Sequence, residues 1–496
     1  MTNHPIITTL ALLVIAIALC SGCAINGHPM RFPPSQPTAG GNPSNSLSWY
    51  IEGKTALGAP VSCSFIEFDE RGDFIDFRQH LHCENTISNL AGNGKVLLFV
   101  YCHGWKNNSQ SGDVISFNAF LAKLAQTPEI QKNGFRVHGV YLAWRGNPVP
   151  PYIDKCERAE SIALTEAVYG SSIVDSDYQR SFAFPGFIPE NLSYFTRKRA
   201  AEHLISGLPM ARAIFTYASA AKNYGGKLGN QVIVMGHSFG ALMLEKSLGQ
   251  GMTGALVMDW WNQKDKEAQK PISPFDLVLF VNSAAPSIYA KEMRDFLEAH
   301  RKAMGHRPGH GAPIIVSITS TADEATGVLH PLANFTAPFA PSLQRKYTTG
   351  IFGAKRADYS WTVHEGIRQS DFYTKTPGHQ PLLINHWIIP DPAPATPLPS
   401  LNSDDVFARN TVVKSVIESD HFLTSTEKSP NAWLISPAPQ LPEKPVTQDG
   451  LELAMPESDY WIVSCGKELC KSHGDVWSKT MMEVYAGIYC AVQSRR

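Results

Sequence analysis

The chain has 496 residues, of which 43% are hydrophobic and 18% are Asp, Glu, Lys or Arg. Lys and Arg total 43 against 44 Asp and Glu, so the charge balance gives no electrostatic reason to expect nucleic-acid binding. The hydrophobic fraction and the 10% aromatic residues exclude a disordered chain and indicate a large core.

The N-terminus has the features of an export signal. Residues 6–19 are apolar apart from two threonines, and the small residues Ser21 and Gly22 precede Cys23. This stretch is shorter than the roughly 20 residues that span a bilayer, so we interpret residues 1–23 as a signal peptide. The segment resembles a bacterial lipobox, which implies a lipid on Cys23 and, with alanine next, an outer-membrane location in the cell envelope. A plain cleaved signal or an N-terminal anchor helix is the alternative.

Residues 24–46 are rich in Pro, Gly, Ser and Asn. This composition predicts a flexible tether between the lipid and a folded domain over residues 47–496. Two further proline-rich stretches, 390–399 and 437–445, are interpreted as loops of an inserted segment.

Nine cysteines occur in the chain. Export implies an oxidising compartment, in which Cys63 with Cys83, and Cys465 with Cys470, are candidates for disulfides. The only CxxC spacing lies inside the signal segment, so the sequence predicts no zinc site.

From about residue 47, short apolar runs alternate with helical patterns. Apolar strands separated by helices are typical of a parallel sheet buried on both faces. Two earlier segments, 64–69 and 73–78, predict a hairpin at an antiparallel edge. The predicted strands are 96–101, 137–144, 232–235, 277–281, 314–318 and 461–463, and the predicted helices are 198–224, 241–248 and 479–492.

A GxSxG motif follows the predicted strand 232–235 directly. It reads Gly236-His237-Ser238-Phe239-Gly240, and a helical pattern begins behind it. A serine on such a tight strand-to-helix turn projects its hydroxyl clear of the sheet, and Gly236 and Gly240 relieve the crowding. The motif predicts Ser238 as a nucleophile; the alternative is a structural turn with an idle serine.

A second motif, His103-Gly104-Trp105, follows the strand 96–101. A turn of this kind after an early strand supplies one amide of an oxyanion hole, and the residue after the nucleophile supplies the other. We therefore assign these roles to the amides of Trp105 and Phe239. His103 is predicted to pack and hydrogen-bond within the turn rather than to act as a base.

A carboxylate and a histidine are expected in that order after the serine. Asp323 follows the strand 314–318 and is the preferred acid, with Glu324 as the alternative. His473 follows the strand 461–463 and is the preferred base, whereas His386 has apolar neighbours that predict a strand or core position. His364, His379 and His421 also lie after the acid and are alternatives for the base.

Two connections are longer than a minimal fold needs. The 150 positions between Asp323 and His473 predict an insertion over about 330–456. Residues 146–197 could form a cap, and their phenylalanine-rich part, 180–195, fits either an acyl pocket or ordinary core. The basic run 197–199 fits either a solvated helix start or an anion-binding site.

Several segments together are similar to a family of largely uncharacterised bacterial and fungal α/β-hydrolases. They include VYCHGWKNN, YLAWRG, GHSFGAL, LFVNSAAP, ITSTADEAT and SHGDVW. The likeness covers most of residues 64–329 and resumes at the C-terminus. It implies the α/β-hydrolase fold, a mostly parallel central sheet with helices on both faces and an insertion before the histidine, and the triad positions without a substrate.

The sequence therefore predicts a serine hydrolase, a carboxylesterase or lipase acting on a small-molecule or lipid ester through Ser238, Asp323 and His473. A peptidase, thioesterase or acyltransferase on the same triad is one alternative, and a non-catalytic envelope lipoprotein is another. No cofactor and no metal are expected. The membrane is the expected partner through Cys23, and nothing in the sequence specifies an oligomeric state.

Overall fold

The computed structural model describes about half of the chain, in separate stretches. These are residues 29–31, 33, 48–55, 58–146, 194, 197–202, 204, 208–225, 229–249, 274–304, 313–331, 363–364, 367–368, 375–380, 383–390, 433–437 and 460–494. The predicted signal peptide with Cys23, most of the predicted cap and His421 lie outside them.

A mostly parallel sheet of ten strands forms the centre of the described structure. Eight neighbouring strands are parallel, and one antiparallel strand pairs with each outer edge. In spatial order they are β1 (Tyr50–Lys54), β2 (Pro60–Glu67), β4 (Phe135–Ala143), β3 (Lys95–Cys102), β5 (Gln231–His237), β6 (Leu277–Val281), β7 (Ile315–Ser320), β12 (Tyr460–Cys465), β10 (His386–Pro390) and β11 (Trp433–Pro437). Two-residue strands β8 (Val363–His364) and β9 (Ile367–Arg368) pair separately.

Helices cover both faces of the sheet, because its strands are apolar on both sides. In β3, Leu98 and Val100 join one hydrophobic cluster, while Leu97 and Phe99 join the other. This division is what a parallel sheet between two helical layers requires. The helices are α1 (Phe77–Gly92), α4 (Leu208–Gly225), α5 (residues 239–249) and α6 (Ser287–Met304) on the first face, and α2 (Gly112–Ala125), α3 (Pro128–Lys132) and α7 (Lys479–Ser494) on the second.

The chain thus has a mixed α/β fold, and all six strands predicted after residue 95 are confirmed. The predicted helix 198–224 is present as helical residues 197–202 followed by α4. No helix in the described part of the chain is both long and apolar enough to cross a membrane.

The predicted hairpin is wrong in its second arm. Asp69 accepts hydrogen bonds from the backbone N–H groups of Arg71 and Asp73 and closes the expected turn, but the strand pairing ends after one bridge. Asp76 then accepts from the N–H of Arg78 and caps α1. An N-terminal cap of this kind favours a helix over a strand. The antiparallel edge exists but is formed by β1.

Two other expectations need correction. Arg31, inside the predicted flexible tether 24–46, is 2% exposed and hydrogen-bonded to the core, so the tether is fixed at this point.

The cysteines proposed for local disulfides are free thiols buried among apolar side chains: Cys63, Cys83, Cys465 and Cys470.

Candidate active site

Ser238 occupies the tight turn between β5 and α5. Its φ is 56°, in the left-handed region that non-glycine residues rarely adopt. A Cβ at Gly236 would lie 2.7 Å from the Ala241 backbone, and one at Gly240 would lie 2.1 Å from the carbonyl oxygen of Cys102. Both glycines are therefore required by close backbone approach, as the motif predicts.

The three predicted triad residues meet at the carboxyl edge of the sheet. His473 Nε2 lies 2.7 Å from Ser238 Oγ, and His473 Nδ1 lies 2.9 Å from both carboxylate oxygens of Asp323. Because a carboxylate only accepts, Nδ1 carries the ring proton and Nε2 can accept the serine proton. Glu324, the alternative acid, is exposed.

Asp323 is held as a carboxylate. Burial alone raises its pKa, but the His473 imidazole and hydrogen bonds from His473 and Thr326 outweigh that effect and lower the pKa below its ordinary value. The N–H groups of Ala325 and Thr326 donate to Oδ1, and the Thr326 hydroxyl donates to Oδ2. These donors keep the charge and the orientation that a partner of His473 needs.

The loop after β3 packs directly against the serine. A Cβ on Gly104 would lie 2.8 Å from Ser238 Cβ, so only glycine brings the backbone this close. Phe239 begins α5, and its N–H therefore has no acceptor within the helix. Trp105 and Phe239 both contact the ring of Tyr194, at 5.4 and 5.2 Å between centroids. The two residues assigned to the oxyanion hole thus flank the serine; their role stays a prediction.

His103 has the structural role that was expected. It is fully buried and stacks on Trp144, whose backbone N–H donates to Nε2 at 3.1 Å. The Nδ1–H donates to the carbonyl oxygen of Gly104 at 2.8 Å. Burial lowers the pKa of His103 to about 4. The ring is neutral and shapes the loop.

Two residues that position the His473 loop were missed by the sequence reasoning. His237 Nε2 lies 2.9 Å from the carbonyl oxygen of His473, and Asn282 Nδ2 lies 3.2 Å from the same oxygen. Asn282 Oδ1 also accepts from the N–H of Ser320, at the end of β7. In the sequence, Asn282 could have been recognised as a polar residue directly after the apolar run of β6.

A buried carboxylate supports the other side of this loop. Asp113 accepts from Trp477 Nε1 at 2.7 Å and from the Tyr141 hydroxyl at 2.9 Å. Trp477 lies four residues after His473, in the short 3-10 helix Asp475–Trp477. Desolvation raises the pKa of Asp113 despite its three hydrogen-bond donors. The network joins the histidine loop to α2 and β4.

The N-terminal segment clasps the loop after β3. Glu67, at the carboxyl end of β2, accepts from the N–H groups of Met30 and Arg31 and from the Ser109 hydroxyl. The Arg31 guanidinium donates to the carbonyl oxygen of Ser109 at 2.7 Å and lies 3.9 Å from the centre of the Phe65 ring. We call Arg31, Glu67 and Ser109 the N-terminal clasp.

The remaining candidates lie at the periphery or in the core. Arg197 is buried in an ion pair with Glu70 at 2.6 Å, and Lys198 is also buried, so the solvated-helix interpretation is wrong for both. His386 stacks on Trp461 inside the sheet, as predicted. His379 is bonded through Nδ1 to the Thr376 hydroxyl.

Within the described residues, no group of three His, Cys, Asp or Glu side chains is arranged to hold a metal ion. The arrangement of Asp323, His473 and Ser238 is suited to nucleophilic attack on a carbonyl carbon, with proton transfer through the imidazole. Comparison with protein families, with curated proteins and with solved structures gives no significant match to this chain.

Proposed function

We propose that the protein is a serine hydrolase of the α/β-hydrolase fold, and that it cleaves carboxylic esters as a carboxylesterase or lipase. The observation that supports this most strongly is the continuous hydrogen-bonded chain from Asp323 through His473 to Ser238. The strained turn at Ser238 and the order of serine, acid and histidine along the chain add to it.

The reaction begins when Ser238 Oγ attacks the ester carbonyl carbon and its proton moves to His473 Nε2. Asp323 stabilises the resulting imidazolium, and the amides of Phe239 and Trp105 donate to the oxyanion. Collapse of this intermediate breaks the carbon–oxygen bond, and His473 gives its proton to the departing alcohol. Water, deprotonated by His473, then releases the acid from the acyl-serine.

Labelling with a fluorophosphonate tests the nucleophile. The native protein is expected to gain one adduct on Ser238, and the Ser238→Ala variant none. Turnover of short- and long-chain p-nitrophenyl esters then tests the ester class, with thioester and peptide substrates in parallel. An unlabelled native serine would contradict catalysis, while faster cleavage of amides or thioesters would replace the esterase assignment.

We also propose that the protein is exported and held in the outer membrane by a lipid on Cys23. The motif at residues 21–23 supports this proposal. Incorporation of labelled palmitate into the full chain, and its loss in Cys23→Ser, are the expected results; equal labelling of both chains would contradict it.

A further inference from the structure

The N-terminal clasp fixes where the chain leaves the folded domain. Met30 and Arg31 are bonded to Glu67, the last residue of β2, and Arg31 is also bonded to the loop after β3. The carboxyl ends of these parallel strands lie at the same edge of the sheet as Ser238, which follows β5. The N-terminal segment therefore joins the domain at its active-site edge.

Little chain separates this junction from the cysteine of the lipobox. Cys23 precedes Met30 by seven residues. At a maximum of about 3.6 Å per residue, seven residues span about 25 Å. A lipid on Cys23 would therefore hold the active-site edge within about 25 Å of the bilayer surface, closer than a free 24–46 tether would.

The same edge carries the exposed apolar side chains. Among the described residues, the exposed large hydrophobic side chains are Phe77, Leu81 and Val328, at 54%, 44% and 60% exposure. Phe77 and Leu81 lie on one face of the first turns of α1, and Gln79 between them is bonded to Glu67 in the clasp. Val328 follows Asp323 in the π-helix Ala325–Leu329.

These side chains bracket the active site. Phe77 and Leu81 stand beside β2, and Val328 stands beyond the end of β7, five strand spacings away in the sheet order. At about 4.8 Å per spacing, the two positions are about 24 Å apart, with β5 and Ser238 between them. Isolated exposed apolar residues are ordinary, but in the described part of the chain all three lie at the edge where the lipid-bearing segment joins, which favours an apolar partner.

We propose that the carboxyl edge of the sheet lies against the bilayer that holds Cys23, and that the substrates are esters residing in that bilayer. The proposal rests on the hydrolase function and the lipid anchor proposed above. Phe77, Leu81 and Val328 enter the interfacial region, where burial of apolar surface stabilises the contact. The N-terminal clasp orients the enzyme because only seven residues separate Cys23 from its attachment point at Met30.

Photocrosslinking tests the orientation. The lipidated full chain is reconstituted in vesicles of phosphatidylethanolamine and phosphatidylglycerol, with benzoylphenylalanine in place of Phe77, Leu81 or Val328. The control position is Phe135, a half-buried aromatic residue at the start of β4 and so at the opposite edge. Lipid adducts at the three edge positions and none at position 135 are expected. Equal adducts at position 135, none at the edge, or no lipid on Cys23 would overturn the proposal.

Turnover tests the substrate. The triple variant Phe77→Ser, Leu81→Ser, Val328→Ser is expected to keep its turnover of a soluble acetyl ester and to lose at least about tenfold on an ester embedded in vesicles. An equal loss on both substrates, or none on either, contradicts the proposal. If the unsubstituted protein cleaves neither ester, the hydrolase assignment fails, and the crosslinks still decide the orientation.

Discussion

The imidazole of His237 donates a hydrogen bond from Nε2 to the backbone carbonyl oxygen of His473, across 2.9 Å. The residue before the serine thus holds the loop that carries the histidine. Burial lowers the pKa of His237 to about 3, so the ring is neutral and the donor is always present at physiological pH. The Ser238 turn and the His473 loop are thus joined by this bond as well as by the contact between Ser238 Oγ and His473 Nε2.

His237→Ala is expected to lower kcat on a soluble ester by between about fivefold and about 150-fold, because it removes one of two donors to the His473 carbonyl. His237→Gln places an amide donor near the Nε2 position and is expected to restore part of the rate. KM stays unchanged in both. His82→Ala, a half-buried histidine on α1, is the control. An unchanged kcat, or no rescue by Gln, would rule out the positioning role.

Asp323→Asn is expected to lower kcat by about 10⁴-fold, since an amide no longer selects the imidazole tautomer or stabilises the imidazolium. Fluorophosphonate labelling should slow in parallel while the thermal unfolding temperature changes little. Glu324→Gln, the exposed neighbour, serves as control and should behave as the unsubstituted chain does. A larger loss in the Glu324 variant would exchange the two roles.

Gly240→Ala is expected to destabilise the fold by at least about 1–3 kcal/mol, because its Cβ would sit 2.1 Å from the Cys102 carbonyl oxygen, a backbone atom that cannot rotate away. Gly92→Ala, where a Cβ meets nothing within 4 Å, is the matched control. Denaturant unfolding of both variants checks the difference. Equal free energies of unfolding for the two variants would mean that the backbone around Ser238 shifts to accommodate the added Cβ without cost.

Because Glu245 is buried, we expect the free energy of unfolding to depend on pH. This carboxyl lies buried in α5, and burial raises its pKa to about 8 although the Ser283 hydroxyl acts in the opposite direction. The folded state therefore binds a proton that the unfolded state loses above about pH 4.3, so this group costs stability as the pH rises from there towards 8. Above pH 8 the cost stays constant.

Glu245→Gln removes this cost. Its free energy of unfolding, relative to that of the unsubstituted protein, is expected to increase between pH 5 and pH 8 and to level off above. The measurement is urea unfolding of both proteins at matched pH values. A constant difference across this range would show that Glu245 is ionised in the folded state.

Arg31→Ala tests the N-terminal clasp. Loss of the guanidinium removes the hydrogen bonds that it donates to the buried carbonyl oxygens of Ser109 and Ser48, which is expected to cost about 1–3 kcal/mol of stability. Because Arg31 also holds the loop after β3 through Ser109, kcat should fall as well. Arg78→Ala, which breaks an exposed ion pair with Asp76, should leave both quantities unchanged. Equal effects of the two substitutions would show that the N-terminal clasp does not stabilise the fold or the loop after β3.

The parts of the fold that follow from local pattern could be predicted. The β3 and β5 strands are apolar on both faces, and the Ser238 turn needs glycines on both sides, so a short window of sequence indicates each. Asp323 and His473 were identified because each follows an apolar strand whose carboxyl end must reach the same edge. The predicted hairpin is wrong because Asp76 caps a helix. The turn before Asp76 is compatible with either a strand or a helix, so it does not indicate which one follows.

The rest depends on pairing between distant residues. Arg31 meets Glu67 across 36 positions, inside a segment whose composition indicates flexibility. Asn282 joins β6 to the His473 loop across 191 positions. Such contacts depend on how whole strands pack together, and no local pattern in the sequence predicts them.

The outer position of β10 and β11 has a consequence for the spacing of acid and base. These strands come from the stretch between Asp323 and His473, yet they add to the free side of β12 and leave β7 and β12 as neighbours. The length of chain between the two residues is therefore decoupled from the 2.9 Å that separates their side chains. Insertions or deletions in this stretch that leave β7 and β12 paired would therefore keep the distance between Asp323 and His473.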